Sequence, residues 1–309
     1  MHSVSTPVIA MQNTSTSLSI RSLLRWYLIT AICLVVIGLI IFLILKLFPT
    51  TLNGGTEESL RAFFNLQFFI FLLVGFLAQL IDGALGMAYG ISSTTFLMST
   101  GIPPVVASAS VHISEVFTTG ASGIAHWKFG NIDKTLFKKL IIPGALGAAL
   151  GAYVLSSFDG TVMKPYVSTY LIIMGVVIIV KSFKKKVAFR EPKRVGWLAL
   201  LGGFADASGG GGWGPVVTAT LIGRGNNPRL TIGTVNAVEF FVALTASGIF
   251  TVIVGIDSWQ IIAGLILGGI IAAPVGALIT QKINVKASMI FVGILIILLS
   301  ARTVVMSFL

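Results

Sequence analysis

The chain has 309 residues, of which 55% are hydrophobic and only 10% are charged, and its mean hydropathy is +0.98. This small number of charges cannot solvate the surface of a globule of this size. The composition therefore excludes a soluble protein and predicts an integral membrane protein. The net charge of +11 does not indicate nucleic-acid binding, because the Lys and Arg residues lie mainly in connectors between apolar segments. The single cysteine, Cys33, excludes an intrachain disulfide and a thiolate metal cluster, and no cofactor is expected.

The first 62 residues precede the part of the chain that carries motifs. Residues 1–20 are rich in Ser and Thr and show no apolar period, which predicts a disordered cytoplasmic tail. The next apolar run, residues 26–48, is too long for the core of a signal peptide and no small-residue cleavage site follows it. We therefore expect residues 21–62 to form an extra transmembrane span and its loop, both retained in the mature protein.

The remainder of the chain contains an internal repeat. The segment that begins at Asp82 aligns with the segment that begins at Asp206, a displacement of 124 positions (206 − 82). Further pairs at the same displacement are Gly101 and Gly225, Pro104 and Pro228, Val111 and Val235, His112 and Asn236, Glu115 and Glu239, and Phe117 and Phe241. We therefore divide the chain into transport repeat 1, residues 63–190, and transport repeat 2, residues 191–309.

Each repeat shows the same order of apolar segments. An apolar segment leads into a glycine-rich break, a short apolar segment follows, and three longer helices complete the repeat. The longer helices are predicted at residues 104–126, 136–157 and 163–183, and at 229–253, 258–281 and 286–308. The two segments around the second break, 195–205 and 215–223, are too short to cross a membrane separately, which predicts a re-entrant hairpin. The longer segments of repeat 1, 64–81 and 91–100, leave a hairpin and two complete spans both open.

Positive charges predict the orientation of the chain in the membrane. Clusters of Lys and Arg mark cytoplasmic loops, and they lie at residues 21–25, 128–139, 181–194, 224–229 and 282–286. Threading the helices through these loops places the amino terminus in the cytoplasm and the carboxyl terminus outside, and it gives the two repeats opposite orientations. The predicted fold is an all-α, multi-pass protein of the plasma or inner membrane with two inverted repeats and an extra first span.

The two glycine-rich breaks are the first candidate site. Breaks expose backbone polar groups at membrane depth, where they are tolerated only if buried or facing a polar cavity, and helix N-termini that begin there direct free N–H groups toward an anion. The predicted substrate-binding residues are Gly83, Gly86, Tyr89, Gly90, Ser92, Ser93, Gly209, Gly210, Gly211, Gly212, Trp213, Gly214, Thr218 and Asn236. The alternative is that the glycines only allow close packing of helices.

A polar stripe on the helix after the first break is the second candidate site. Its members recur at helical spacing and are Ser108, His112, Glu115, Thr119 and Ser122, and the aligned helix of repeat 2 carries Asn236 and Glu239. Carboxyl groups in the middle of an apolar helix are costly and face a cavity or a partner. We predict that Glu115, Glu239 and His112 carry protons or shape a gate; hydrogen bonding between helices is the alternative.

Asp82 and Asp206 are grouped with the coupling and gating residues and are predicted to cap or orient the breaks. They are not expected to bind the substrate directly, because an ionised carboxylate in a low dielectric repels an anion. No metal site is expected, since the three histidines show no ligand-like spacing. The glycines of repeat 2 also lack the Gly-Lys-Ser/Thr ending of a phosphate-binding loop, which gives nucleotide hydrolysis no support.

Together these segments resemble one transporter family. Residues 82–90, residues 108–115, and the glycine-rich and Asn236-Ala237-Val238-Glu239 segments of repeat 2 are similar to the TauE/SafE sulfite exporter family, which is related to 4-toluene sulfonate uptake permeases. The resemblance extends from residue 64 to the end of the chain. It implies transport of sulfite, organosulfonates or related sulfur-containing or carboxylate anions, without fixing the substrate.

The predicted function is therefore secondary transport of a small anion coupled to protons, without enzymatic activity. The expected partners are the anion, the lipid bilayer and the coupling proton, with a homodimer left open and nucleic acid excluded. Two other classes remain as alternatives. One is a membrane-embedded, hydrolase-like enzyme, for which Ser208-Gly209 is a weak signal, and the other is an anion channel.

Overall fold

The computed structural model describes residues 62–85, 87–183, 194–279 and 285–308. The predicted tail and nearly all of the predicted extra span and its loop, residues 1–61, lie outside the described residues. Everything described below belongs to one compact unit, Arg61–Leu309.

The described part of the chain consists of helices and their connections, without β-strands. Its first half contains α1 (Leu66–Leu85), α2 (Tyr89–Ser99), α3 (Pro104–Lys128), α4 (Lys134–Ser157) and α5 (Gly160–Ser182). Its second half contains α6 (Val195–Gly209), a π-helical turn (Gly214–Thr218) continued by α7 (Ala219–Gly223), α8 (Pro228–Ile253), α9 (Trp259–Ile279) and α10 (Val285–Met306). The prediction of an all-α protein is confirmed, and the helix limits agree with the predicted ones to within a few residues.

Four of the described helices are long and apolar enough to cross a bilayer, namely Lys134–Ser157, Gly160–Ser182, Pro228–Ile253 and Lys286–Met306. Large apolar side chains on these helices point away from the interior. Leu150, Ile173 and Leu298 are 55%, 56% and 63% exposed, a surface that suits lipid and not water. The protein is thus a multi-pass membrane protein.

Side-chain caps begin several helices at their connections. Asp133 accepts hydrogen bonds from two backbone N–H groups at the start of α4, and Asn227 does the same for α8. Asp159 begins α5, where the hydroxyl and the backbone N–H of Thr161 donate to its carboxylate and lower its pKa below the ordinary value. These caps place the helix boundaries where the polar residues stand in the sequence.

The helices of the two halves pack in a symmetric pattern: each helix pair has an equivalent pair in which the roles of the two halves are swapped. α1 packs along α9 and α6 along α4, while α3 packs against α8 and α5 against α10. If α1, α3, α4 and α5 are matched with α6, α8, α9 and α10, each of these pairs maps onto a pair of the same set. Glycines allow the close approach: a Cβ on Gly268 would lie 2.0 Å from the carbonyl oxygen of Leu72, and one on Gly147 would lie 2.1 Å from that of Leu200.

Candidate functional site

The two interrupted helices meet at their breaks, between α1 and α2 and between α6 and the π-helical turn. A Cβ on Gly211 would lie 2.2 Å from the backbone nitrogen of Ile91, and one on Gly90 would lie 3.2 Å from the Cα of Gly211. A Cβ on Gly214 would lie 2.6 Å from the Cβ of Met87. The backbones of the two breaks are therefore in direct contact, which leaves no room for a side chain at position 211.

An aspartate organises the second break. Gly210 and Gly211 have φ angles of 71° and 141°, which L side chains rarely adopt. Oδ1 of Asp206 accepts hydrogen bonds from the backbone N–H groups of Gly212 (2.7 Å) and Trp213 (2.9 Å). The sequence predicted that N–H groups at this helix start are free to bind an anion. Instead the carboxylate of Asp206 accepts hydrogen bonds from these two N–H groups, because it lies in the last turn of α6 and reaches across the break to them.

The same aspartate contacts His112 of α3 through its other oxygen. Nε2 of His112 lies 3.2 Å from Oδ2 of Asp206, and Nδ1 lies 2.8 Å from the carbonyl oxygen of Ser108. Nδ1 also lies 3.3 Å from the hydroxyl oxygen of Ser108. In the tautomer in which Nδ1 donates to the carbonyl oxygen, the Nε2···Oδ2 contact needs one more proton, on the imidazole or on the carboxyl group. The Ser108 hydroxyl also donates to the carbonyl of Ala207 (3.0 Å), so α3 is fastened to the second break at two points.

Two side chains of α5 also hold the second break. The hydroxyl of Tyr170 donates to the carbonyl oxygen of Gly211 (3.0 Å), and its ring fills the space that a side chain at Gly209 would need. The ammonium group of Lys181 lies 2.5 Å from the carbonyl oxygen of Pro215 in the π-helical turn. Neither residue was predicted as part of the site. Lys181 was assigned to a cytoplasmic cluster of positive charges, and nothing in the apolar pattern of α5 distinguishes Tyr170.

Among the described residues, which leave out Gly86, fewer hydrogen bonds hold the first break. Oδ1 of Asp82 accepts one hydrogen bond, from the backbone N–H of Tyr89, at 3.3 Å. The Tyr89 hydroxyl donates to the carbonyl oxygen of Leu265 on α9 at 3.2 Å. Ala88 has a φ of 110°, a conformation that is unfavourable for a residue with a Cβ. The aspartates of both breaks thus bond the backbone nitrogen seven residues later, but the second makes more bonds.

Buried hydroxyl groups lie on the helical segments that directly follow the two breaks, and the side chain of Thr94 packs against Gly210 of the second break. The side-chain oxygens of Ser92, Ser93 and Thr218, all predicted to bind substrate, have no hydrogen-bond partner among the described residues. The same is true of Thr94 and Thr95, which the prediction left out although they directly follow Ser93. A buried hydroxyl without a partner is costly, so these groups are available to a polar ligand.

A separate polar cavity, which we call the acidic cavity, lies beside the first break. It encloses about 250 Å³ of empty space, including its open mouth. Its lining contains three carboxyl groups and no Lys or Arg, and comprises Gln79, Asp82, Tyr89, Glu115, Thr118, Thr119, Ser122, Asn236 and Glu239. Oε2 of Glu115 and Oδ1 of Asn236 have no hydrogen-bond partner in the described part of the chain. Both atoms are acceptors, so the cavity suits a proton or a cation and disfavours an anion.

Glu115 joins this cavity to the histidine–aspartate pair. Side-chain nitrogen or oxygen atoms of His112, Glu115 and Asp206 all lie within 4.8 Å of one another. That spacing also suits a metal ion, but both ring nitrogens of His112 are already engaged with oxygen atoms. The arrangement is therefore better suited to moving a proton between buried carboxyl groups than to coordinating a metal.

The predicted coupling residues are brought together, although they lie far apart in the sequence. Asp82, Glu115 and Glu239 line the acidic cavity, and His112 and Asp206 lie next to it. Gln79, which the sequence analysis did not select, lines the same cavity. A polar residue inside the apolar segment of α1 was the signal that could have identified it.

Some predicted substrate-binding residues lie elsewhere than expected. Tyr89 and Asn236 line the acidic cavity. Trp213 is fully buried and its indole N–H donates to the carbonyl oxygen of Val235 (3.2 Å), so its side chain is part of the core packing. Gly83 lies within α1, and Gly86 lies outside the described residues.

A multi-pass helical protein with two interrupted helices and buried polar groups at their crossing belongs to the class of membrane transporters, and comparison with known proteins identifies the family. Residues 71–303 match the family described as "Sulfite exporter TauE/SafE". The chain belongs to this family, which confirms the resemblance found in the sequence.

Two proteins of Bacillus subtilis (strain 168) are similar to the chain. The probable membrane transporter protein YtnM is 45% identical over 247 residues, which cover 76% of this chain and 82% of that protein. The probable membrane transporter protein YunE is 21% identical over 268 residues, which cover 77% of this chain and 98% of that protein. No solved structure matches the chain.

Proposed function

We propose that the protein is a secondary transporter of a small anion, namely sulfite, an organosulfonate or a related sulfur-containing or carboxylate anion, and that protons drive it. The family description supports the choice of sulfite and its relatives. The observation that carries the proposal is the contact between the two helix breaks, each followed along its helix by buried hydroxyls that have no hydrogen-bond partner among the described residues. Discontinuous helices of this kind form the substrate sites of many secondary transporters.

The anion binds at this crossing, through neutral donors. Asp206 occupies two N–H groups of the second break, so the hydroxyls of Ser92, Ser93 and Thr218 supply donors in addition to the remaining backbone of residues 209–214. Hydroxyl donors bind an oxyanion without a permanent buried cation, which allows the anion to leave again.

The acidic cavity couples anion binding to protons. A negative charge on a carboxylate makes a nearby anion more costly, and protonation of that carboxylate removes the cost. Binding of a proton at Glu115 or Glu239 therefore favours binding of the anion, and the reverse holds by linkage. His112 and Asp206 provide a route for the proton between the cavity and the second break.

The two halves of the chain form inverted repeats, with the amino terminus in the cytoplasm of the cell and the carboxyl terminus outside. Two observations support this proposal: the symmetric packing of equivalent helices from the two halves, and the repeat in the sequence. A reporter fused after Leu309 is expected outside, and one inserted in the loop 184–193 is expected inside. Reports from the same side would contradict the inverted orientation. The extra first span and a homodimeric assembly stay hypotheses.

Transport into proteoliposomes tests the function. We expect saturable uptake of sulfite, thiosulfate, taurine, sulfoacetate or a simple carboxylate, accelerated by a proton gradient. The variants Glu115→Gln and Glu239→Gln imitate the protonated acid, so they are expected to bind substrate but to lose gradient-driven accumulation and its pH dependence. The matched control is Asp159→Asn, which changes an exposed carboxyl group outside both sites.

Unchanged pH profiles and accumulation in both glutamate variants would show that these residues are structural. Conductance that does not saturate would assign the protein to the anion channels. Consumption of a substrate in detergent, without a gradient, would assign it to the membrane-embedded enzymes.

A further inference from the structure

Two corners of the structure occupy equivalent places in the repeat but differ in their contacts. At the first corner, the loop 129–133 after α3 packs against the first turns of α8. At the second corner, the loop 254–258 after α8 faces the first turns of α3. The displacement of 124 positions matches Gly233 with Ala109 and Thr234 with Ser110, so the same part of each repeat is involved. The two corners are therefore equivalent positions of the two repeats.

The first corner is closed by hydrogen bonds. Nε of Arg229 donates to Oδ1 of Asn131 (2.6 Å), and its Nη2 donates to the carbonyl oxygen of Phe129 (3.3 Å). The backbone N–H of Asp133 donates to the hydroxyl of Thr234, which is fully buried (2.8 Å). We refer to these contacts between residues 129–133 and residues 229–234 as the latch.

The latch also depends on a close backbone approach. A Cβ on Gly233 would lie 2.4 Å from the carbonyl oxygen of Asn131, so no side chain fits there while the loop is docked. Asn131 is itself buried under Arg229. The positive charges that flank the loop predict that this corner lies on the cytoplasmic side.

The second corner is open. A cavity of about 350 Å³, including its mouth, separates the loop 254–258 from α3. Ala109 and Ser110 line this cavity at the positions that Gly233 and Thr234 occupy in the latch, and Val106 lies one turn earlier. The hydrogen bonds that close the first corner have no equivalent among the described residues at the second corner, where a cavity lies between the loop 254–258 and the buried residues Ala109 and Ser110.

We propose that the latch is the cytoplasmic gate of the transporter and that the structure shows the state in which this gate is closed and the opposite corner is open. The inference rests on the proposed transport function and on its inverted repeats. In such carriers the two repeats exchange conformations between the inward-facing and outward-facing states. Opening of the latch is therefore linked to docking of the loop 254–258 on Ala109 and Ser110, which closes the cavity at the second corner.

Few hydrogen bonds hold the latch, and two of them come from one exposed arginine, so a single substitution is expected to shift the populations of the two states. The sensor for this shift is Val106, which is partly exposed and lines the cavity that closes. A cysteine at this position, in a chain whose only other cysteine is removed by Cys33→Ser, can be labelled by a maleimide in purified protein.

We expect Arg229→Ala and Gly233→Ala each to slow labelling of Val106→Cys by at least about fivefold, because both release the loop 129–133 and favour the state with a closed second corner. The matched controls are Lys138→Ala and Gly223→Ala. Lys138 is exposed and lies near the start of α4, close to the loop 129–133, and an added Cβ on Gly223 has no atom within 4 Å. Both are expected to label at the original rate.

Unchanged labelling in both latch variants, with gel-filtration profiles like that of the parent, would overturn the gate. The labelling needs no substrate and no gradient. A shift in labelling without anion transport in proteoliposomes would refute the proposed function and leave the latch intact, and normal transport without any shift would refute the latch alone.

Discussion

The two helix breaks have the same design in the sequence and different support in the structure. In both, an aspartate before the break accepts a hydrogen bond from the backbone nitrogen seven residues later, Asp82 from Tyr89 and Asp206 from Trp213. The second break has additional anchors on α3 and α5 through His112, Tyr170 and Lys181. Among the described residues, the first break has one anchor of this kind, from the hydroxyl of Tyr89 to the carbonyl oxygen of Leu265 on α9.

The backbone conformations differ in the same direction. The second break uses glycine wherever φ is positive, whereas the first break places Ala88 at a φ of 110°. A residue with a Cβ in such a conformation costs about 1–3 kcal/mol. The second break is therefore the firmly held element of the site, and the first is the one that deforms more easily. The difference teaches that a repeated motif specifies the local turn, while its neighbours decide how rigid the turn is.

The largest effect is expected for Gly211→Ala at the contact between the breaks. The added Cβ would lie 2.2 Å from the backbone of Ile91, and the φ of 141° is unfavourable for alanine, so we expect a loss of about 3 kcal/mol or more and no measurable transport. Uptake in proteoliposomes and the yield of folded protein measure this. The reverse change in the first break, Ala88→Gly, is expected to keep both. Transport at the original rate by Gly211→Ala would show that the second break tolerates distortion, which would contradict the claim that it is the firmly held break.

The next largest effect separates the two aspartates. Asp206→Ala removes the partners of two buried N–H groups and of His112, which costs about 3 kcal/mol in total, whereas Asp82→Ala removes one long bond, which costs about 1 kcal/mol. The apparent melting temperature of the purified variants in detergent measures the difference. Equal shifts in the two variants would contradict the asymmetry between the breaks.

The smallest effect is expected for Tyr170→Phe. The ring that packs on the glycines remains, and one hydrogen bond to Gly211 is lost, so stability falls by about 1 kcal/mol. If the hydroxyl fixes the second break for substrate, the KM for the anion rises a few-fold with little change in maximal rate. Tyr166→Phe, an exposed tyrosine on the same helix, is the control. A lower maximal rate with unchanged KM would show that Tyr170 acts on the conformational change and not on binding.

Much of the fold follows from the sequence because apolar length, glycine clusters and caps are local signals. The limits of α3, for example, follow from Pro104 at its start and from the polar residues after Lys128. The coupling residues could also be selected, since a carboxyl group in an apolar helix is visible in the sequence alone. The placement of Glu115 in one cavity with Asp82 and Glu239 could not be predicted, because no local signal specifies which faces of α1, α3 and α8 meet.

The sequence by itself determined that this protein is helical, membrane-embedded and built from two related halves with a broken helix in each, since composition and a repeat at a fixed displacement carry that information. Only the tertiary structure decided that Asp206 occupies the backbone donors intended for an anion, that Tyr170 and Lys181 hold one break, and that the latch at Arg229 closes one corner while its counterpart stays open. The contacts of Tyr170, Lys181 and Arg229 join residues 34 to 100 positions apart on different elements, so their geometry is set by how whole helices pack, which no short stretch of the chain encodes. The contact of Asp206 is local, and it depends on the backbone conformation of the break.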